Sequence, residues 1–282
     1  MKEPSLGYIV GGQAVIEGVM MRSPSAFCVA VRKKEGEVVD YVGKINIPQI
    51  KIPLIRGIYI LFHALALGIK SLNISANLTE EEKPMSPISL IISLILAIGF
   101  GILIFFWLPL FLTEILKIKN NFNFNLIEGI IRLTIFFIYI LILNIFKDFK
   151  RFFAYHGAEH KVVHTYEAGE ELNIENAKNK STLHPRCGTS FLLFVVLISI
   201  LIFSFISKDL NFALKFSFRL LLLPVVAGLS YETIRISYYF RNNILGKLLA
   251  LPGLFLQKFT TREPDDKMLE VAIISLKKAL NS

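Results

Sequence analysis

Polar and apolar positions divide the chain into a mixed N-terminal region, four long apolar runs, and polar segments between and after them. The stretch Gly11–Pro24 opens with a glycine pair that suits a turn or a close backbone approach, and Val15, Ile16 and Val19 then fit a short strand. If that stretch is extended, Gln13, Val15 and Glu17 project to one face, because side chains alternate with period two. The β-prone runs Ala26–Arg32 and Val38–Val42 flank Lys33–Glu37 and predict a hairpin with a glycine-containing turn. Two prolines space an extended segment over 47–53, and from Leu54 to Leu72 apolar residues recur at helical spacing. Only about 13 residues, Gly57 to Ile69, lie between the flanking charges of that helix, short of the roughly 20 that a span needs. It is therefore expected to be interfacial or buried, with His63 in a structural role. A charged, proline-ended linker, Thr79–Pro84, follows.

Ile88–Leu112 carries no charge and predicts a transmembrane helix, with Trp107 at an interface and Pro109 bending its last turn. An Asn-rich loop over 117–125 leads into a second span, Leu126–Phe146, whose internal charges are Glu128 and Arg132 near its beginning. Two more apolar runs, Phe191–Ser207 and Phe212–Leu229, come after a polar region; the last contains Lys215 and Arg219, so it either crosses or dips in and returns. Leu245–Phe259 is broken by Pro252-Gly253 and is expected along the interface. Asp265–Leu280 has acidic residues first and lysines last, matching the helix dipole of a C-terminal amphipathic helix. The fold class is thus mainly α: a multi-pass membrane protein with about four transmembrane helices and a small β-containing cytoplasmic N-terminal element. Its regions are 1–53, 54–87, 88–146, 147–190, 191–236 and 237–282.

Composition agrees. A chain of 282 residues that is 54% hydrophobic, with 24 Phe, is too apolar for an ordinary soluble domain. Its start lacks the basic segment, short apolar run and small-residue cleavage site of a signal peptide, and none is expected. The net charge of +9 is spread over several segments without a nucleic-acid motif, so it points to topology and membrane lipid as partner, with no nucleic acid expected. Positions 1–87 hold ten Lys or Arg and 147–187 hold seven, against two over 117–125 and one over 208–211. That bias places the N-terminus, the 147–190 region and the C-terminus in the cytoplasm. Two cysteines, Cys28 and Cys187, without a Cys-x-x-Cys pair argue against a disulfide framework and fit a reducing compartment.

The candidate chemistry is concentrated between Tyr155 and Ser190, which hold four of the five histidines and one of the two cysteines. His156-Gly-Ala-Glu-His160 is an H-x-x-E-H array, and residues four apart on a helix share a face, so His156 and His160 can converge on one ion with Glu159 beside them. His164 continues that face but lies about 12 Å from His156 along an ideal helix, too far for an easy share of the same ion. His184 and Cys187, just before the third apolar run, are the candidate further ligands; Glu167, Glu170 and Glu171 are alternatives. His-rich, borderline-soft ligation favours zinc as the divalent metal, with manganese and iron as alternatives. An open fourth position makes such a site catalytic and four protein ligands make it structural.

Four motifs are similar to those of the YqhQ-like bacterial membrane family: Gly-Gly-Gln-Ala-Val-Ile-Glu-Gly-Val-Met-Met-Arg from Gly11, Tyr-His-Gly-Ala-Glu-His-Lys from Tyr155, His-Pro-Arg-Cys-Gly-Thr-Ser from His184 and Thr-Thr-Arg-Glu-Pro from Thr260. The resemblance runs in order over nearly the whole chain. It implies a protein of unknown function, described as a predicted metal-dependent enzyme, in a bacterial inner membrane.

The expected function is a metal-dependent enzyme of hydrolytic type, with His156, His160, His184 and Cys187 as ligands and Glu159 as general base at the cytoplasmic membrane face. Its substrate is unknown. Gln13, Glu17 and His164 are further candidate site residues. One alternative is a membrane scaffold or assembly factor with a structural metal. The other is a metal or ion transporter, which ranks lower because Ile88–Leu112 and Leu133–Ile145 offer only Ser, Thr, Tyr and Asn as polar side chains.

Overall fold

The computed structural model describes residues 10–46, 50–79 and 87–282. The expected charged linker after Thr79 and part of the extended 47–53 segment lie outside these residues.

The N-terminal region forms a four-stranded antiparallel meander in the order β1-β2-β3-β4, with β1 Gly11–Val15, β2 Gly18–Arg22, β3 Ala26–Arg32 and β4 Val38–Lys44. The β3–β4 hairpin follows the sequence pattern. The expected single strand after Gly11 instead folds back on itself, pairing Val15 with Gly18 across a two-residue turn in which Glu17 adopts a positive φ of 51°. Gln13 and Glu17 therefore share no strand face. Every residue of β3 but Arg32 is buried, because helices cover both faces of the sheet.

On one face Ala14, Val19, Met21 and Ala30 meet α5 (Lys147–Glu167), the short α6 (Ile174–Lys178) and α11 (Asp266–Leu280) through Ala158, Val162, Ala177, Leu269, Ala272 and Leu276. On the other, Val15, Met20, Phe27, Val29 and Val31 meet Leu67, Ile74 and Leu78 of α1 (Ile55–Thr79). Two-residue alternation along the strands sorts these side chains. Ser275 of α11 ties the layers together, accepting from Met21 N at 3.0 Å and donating to Cys28 O at 2.7 Å. The C-terminal helix has the expected acidic start, capped by Asp265 on Met268 N, but its apolar face covers the sheet.

The second layer is apolar and helical. Pro87–Ile102 (α2), a π-helical segment Leu103–Trp107 and Leu108–Ile115 (α3) run on as one rod, followed by α4 (Asn121–Leu143), α7 (Gly188–Phe203), α8 (Phe212–Leu221), α9 (Leu223–Tyr239) and α10 (Ile244–Thr260). Among the described residues three helical stretches are long and apolar enough to cross a membrane: Ile55–Thr79, Ile91–Ile115 and Asn121–Leu143. There are up to four if α8 and α9, bent by 42°, form one broken span. α1 is longer than the sequence reading allowed, because Arg56 and Lys70 do not end it: Arg56 pairs with Glu232 of α9, and Lys70 lies over the Phe27 ring.

Proline at 109 leaves the Phe105 carbonyl without its helical donor, and the π-helical segment falls there. Arg132 Nε donates to that carbonyl at 2.9 Å and Arg132 Nη1 to Ser199 Oγ at 2.6 Å. Both Arg132 and Arg219 pair with the fully buried Glu128. Charges from two separate apolar runs thus satisfy one another inside this layer, a network invisible when each run is read alone.

Candidate metal centre

The site lies where the two layers meet. α5 begins as a separate helix: the chain turns after Leu143, Asn144 Nδ2 donates to Phe259 O at 2.8 Å, and α5 then packs against β1. The segment Thr260–Arg262 runs alongside it. That approach requires Gly157, since a Cβ there would sit 2.0 Å from the Arg262 carbonyl oxygen. Arg262 N donates to Phe153 O at 2.9 Å, fixing the segment's depth.

Two imidazoles are set by backbone carbonyls. Thr260 O lies 2.8 Å from His156 Nδ1, and Thr182 O is in hydrogen-bond contact with His160 Nδ1. A carbonyl can only accept, so both Nδ1 atoms carry the proton and both Nε2 atoms present lone pairs. His156 Nε2 lies 3.1 Å from Cys187 Sγ. His160 Nε2 is buried and makes no hydrogen bond among the described residues. The ligand atoms of His156, His160 and Cys187 all lie within 4.8 Å of one another. Cys187 caps α7, its sulfur accepting from Thr189 N at 3.3 Å and lying 3.0 Å from Thr189 Oγ1. A buried nitrogen lone pair without a donor, facing a second imidazole and a sulfur, suits a borderline-soft cation such as zinc.

Glu159 is buried beside the triad, and Gly12 N donates to its Oε1 at 2.9 Å. Burial raises its pKa above the ordinary carboxylate value, offset in part by His156, His184, that Gly12 bond and Arg22. Burial likewise lowers the pKa of His160 and His164.

His184 does not join the triad in this arrangement. Gln257, fully buried, accepts from His184 N at 2.7 Å and donates to His184 O at 2.9 Å and to Ser190 Oγ at 3.0 Å. So clamped, His184 faces His164 and Glu167. Its Nδ1 accepts from Arg186 N at 3.2 Å and its Nε2 lies 3.3 Å from Glu167 Oε2, while His164 Nε2 donates to Leu183 O at 2.9 Å. Hydrogen bonds within the chain already occupy both nitrogens of His184. Burial lowers its pKa to about 4. Gln13 Nε2 donates to Gly68 O at 3.3 Å and Glu17 pairs with Arg151, so neither reaches the triad. Glu170 pairs with Lys180, and Glu171 with Asn173 and Asn176 only through its side-chain and backbone oxygens.

Sequence reasoning missed the carbonyl of Thr260, the clamp Gln257 and the arginines Arg186 and Arg241, whereas Arg22 stood beside Gln13 and Glu17 as a polar residue of the Gly11 motif. Thr260 and Arg186 lie inside motifs already singled out; Gln257 and Arg241 carry no sequence signal of their own.

A two-layer protein, helix-covered sheet on an apolar helical layer with a His/Cys cluster at their junction, is the class these features define. The chain belongs to the family described as a protein of unknown function, DUF1385, which matches residues 52–282. It is similar to the uncharacterized protein YqhQ of Bacillus subtilis (strain 168), at 36% identity over 96% of this chain and 92% of that one. No solved structure matches it.

Proposed function

We propose that this protein is a membrane-embedded, metal-dependent enzyme of hydrolytic type, with His156, His160 and Cys187 holding a divalent ion, zinc by ligand type. The observation that carries the reading is the buried, unpartnered His160 Nε2 facing Cys187 and the lone pair of His156. The candidate spans support a place in the membrane, and the distribution of Lys and Arg supports a cytoplasmic site in a bacterial inner membrane. Zinc held there would supply Lewis acidity at neutral pH. The chain's own residues do the rest. Thr260 and Thr182 keep both imidazoles in the ligating tautomer. Glu159, with a raised pKa and anchored by Gly12, accepts a proton from the attacking water and returns it to the leaving group.

A second reading, a scaffold with a structural metal, draws on the depth of the ligands: His156, His160 and Cys187 are each at most 7% exposed. Elemental mass spectrometry of the detergent-purified protein separates these readings from a metal-free one. Near-stoichiometric zinc that is lost in both His160→Ala and Cys187→Ala supports a metal; absence of any metal after each ion is offered sinks it. Glu159→Gln then decides between the two. The enzyme reading predicts retained zinc with loss of function, and the scaffold reading predicts both retained.

A further inference from the structure

Beside the triad three guanidiniums from distant parts of the chain converge on one end of the sheet and one end of α9. Arg186 and Arg241 flank the Tyr238 ring, at 4.7 and 4.5 Å from its centroid. Arg22, at the end of β2, lies over Gly11 and close enough to both Glu159 and Arg186 to act on their charge. Against these three positive charges stands the carboxylate of Glu167, paired with Arg186 Nη2 and shared with His184. Arg186 Nε and Nη1 are buried and make no hydrogen bond among the described residues. Arg22 is half-buried, with Tyr231 and Glu159 close enough to favour its charge. Arg241 reaches only the Tyr238 carbonyl, at 3.3 Å, and is exposed.

Burying guanidinium donors without acceptors is unfavourable, and like charges held together add to the cost. Other arginines have carboxylate partners: Arg56 pairs with Glu232, and Arg32 with Glu270. The orphaned donors of Arg186 lie one residue from Cys187, Arg22 is close enough to Glu159 to act on its charge, and the exposed Arg241 marks the side open to solvent.

We infer that Arg22, Arg186 and Arg241 form a binding site for a phosphate group, placed so that a phosphate-bearing substrate reaches Glu159 and the His156–His160–Cys187 triad. The inference rests on the proposed enzymatic reading for its word substrate, but not for the anion. Guanidinium is the side chain suited to phosphate, offering several fixed donors and remaining charged. The phosphate has two sources, a lipid headgroup or a soluble phosphoester. Exposed Tyr239, Ile244 and Leu245 next to Arg241 put an apolar surface beside the site, as a lipid would require.

The test is isothermal titration calorimetry on the full-length protein in detergent, both zinc-loaded and chelator-stripped, with inorganic phosphate and with dioctanoyl phosphatidic acid as probes. Saturable binding of either probe is expected, weakened about tenfold or more in Arg186→Gln and Arg22→Gln, as for loss of a charge-assisted hydrogen bond. It should be unchanged in Arg32→Gln. The exposed Arg241→Gln gives the same test if the buried variants do not fold. Phosphatidic acid binding much tighter than phosphate supports the lipid source, and equal affinities support the soluble one. Absence of saturable binding of both probes, or equal affinity in all four variants, overturns the inference. Binding that persists in stripped protein keeps the anion site even if zinc fails, and normal zinc content without anion binding does the reverse.

Discussion

Replacing Gly157 with Ala sets two physical effects of opposite sign against each other. Within a helix the change from Gly to Ala stabilises by about 1 kcal/mol, and Gly157 lies well inside α5. The new Cβ would, however, sit 2.0 Å from the Arg262 carbonyl oxygen, where ordinary contact begins at 3.4 Å. The Thr260–Arg262 segment must then retreat by about 1.4 Å, the difference between those distances. Its bond from Arg262 N to Phe153 O, now 2.9 Å, and the contact of Thr260 O with His156 Nδ1, now 2.8 Å, would both open. Losing two such bonds costs roughly 1–3 kcal/mol each where the groups stay buried. The net expectation is destabilisation of roughly 1–5 kcal/mol, after the helix-propensity gain is subtracted. Without its carbonyl partner His156 also loses its enforced tautomer, so zinc affinity should fall about 10- to 100-fold. Denaturant unfolding and chelator competition on the detergent-solubilised protein measure the two quantities. A variant as stable as the parent, or more so, with unchanged zinc affinity would refute the role given to this close approach.

Other outcomes follow from the same contacts. The folded-state pKa of His184, about 4, lies below its ordinary value of 6.5, so the unfolded chain takes up that proton first as pH falls. Stability present above about pH 6.5 should therefore be lost between there and pH 4, by up to about 3 kcal/mol. His184→Gln should flatten that part of the unfolding free energy against pH; an unaltered slope would contradict it. Arg132→Leu orphans the Phe105 carbonyl, leaves Ser199 only its bond to the Val196 carbonyl and leaves Glu128 to Arg219 alone, with an expected loss of about 3–5 kcal/mol. Lys178→Ala, which removes an exposed pair with Asp266, should cost less than about 1 kcal/mol by the same denaturant unfolding assay. Equal shifts in the two variants would count against the buried network.

What the sequence made legible depended on local spacing. The H-x-x-E-H repeat placed His156 and His160 on one helical face, and the apolar runs marked the helical layer. The position of His184 was not legible, because Gln257, from an apolar run 73 residues further on, turns it toward Glu167. The β1–β2 turn was hidden for a different reason: Glu17 there occupies a left-handed conformation that no residue pattern advertises. α1 was read as too short since charges were taken for helix ends, whereas tertiary partners absorb Arg56 and Lys70. Family membership, expected from the four motifs, is confirmed by the match over residues 52–282.

The central claim concerns what binds between His156, His160 and Cys187, and X-ray absorption at the zinc edge on purified protein addresses it directly. The account predicts a shell containing one sulfur at about 2.3 Å and two imidazole nitrogens at about 2.0–2.1 Å, with the sulfur lost in Cys187→Ser. Bound zinc with no sulfur neighbour, or a sulfur shell that persists in Cys187→Ser, would contradict it.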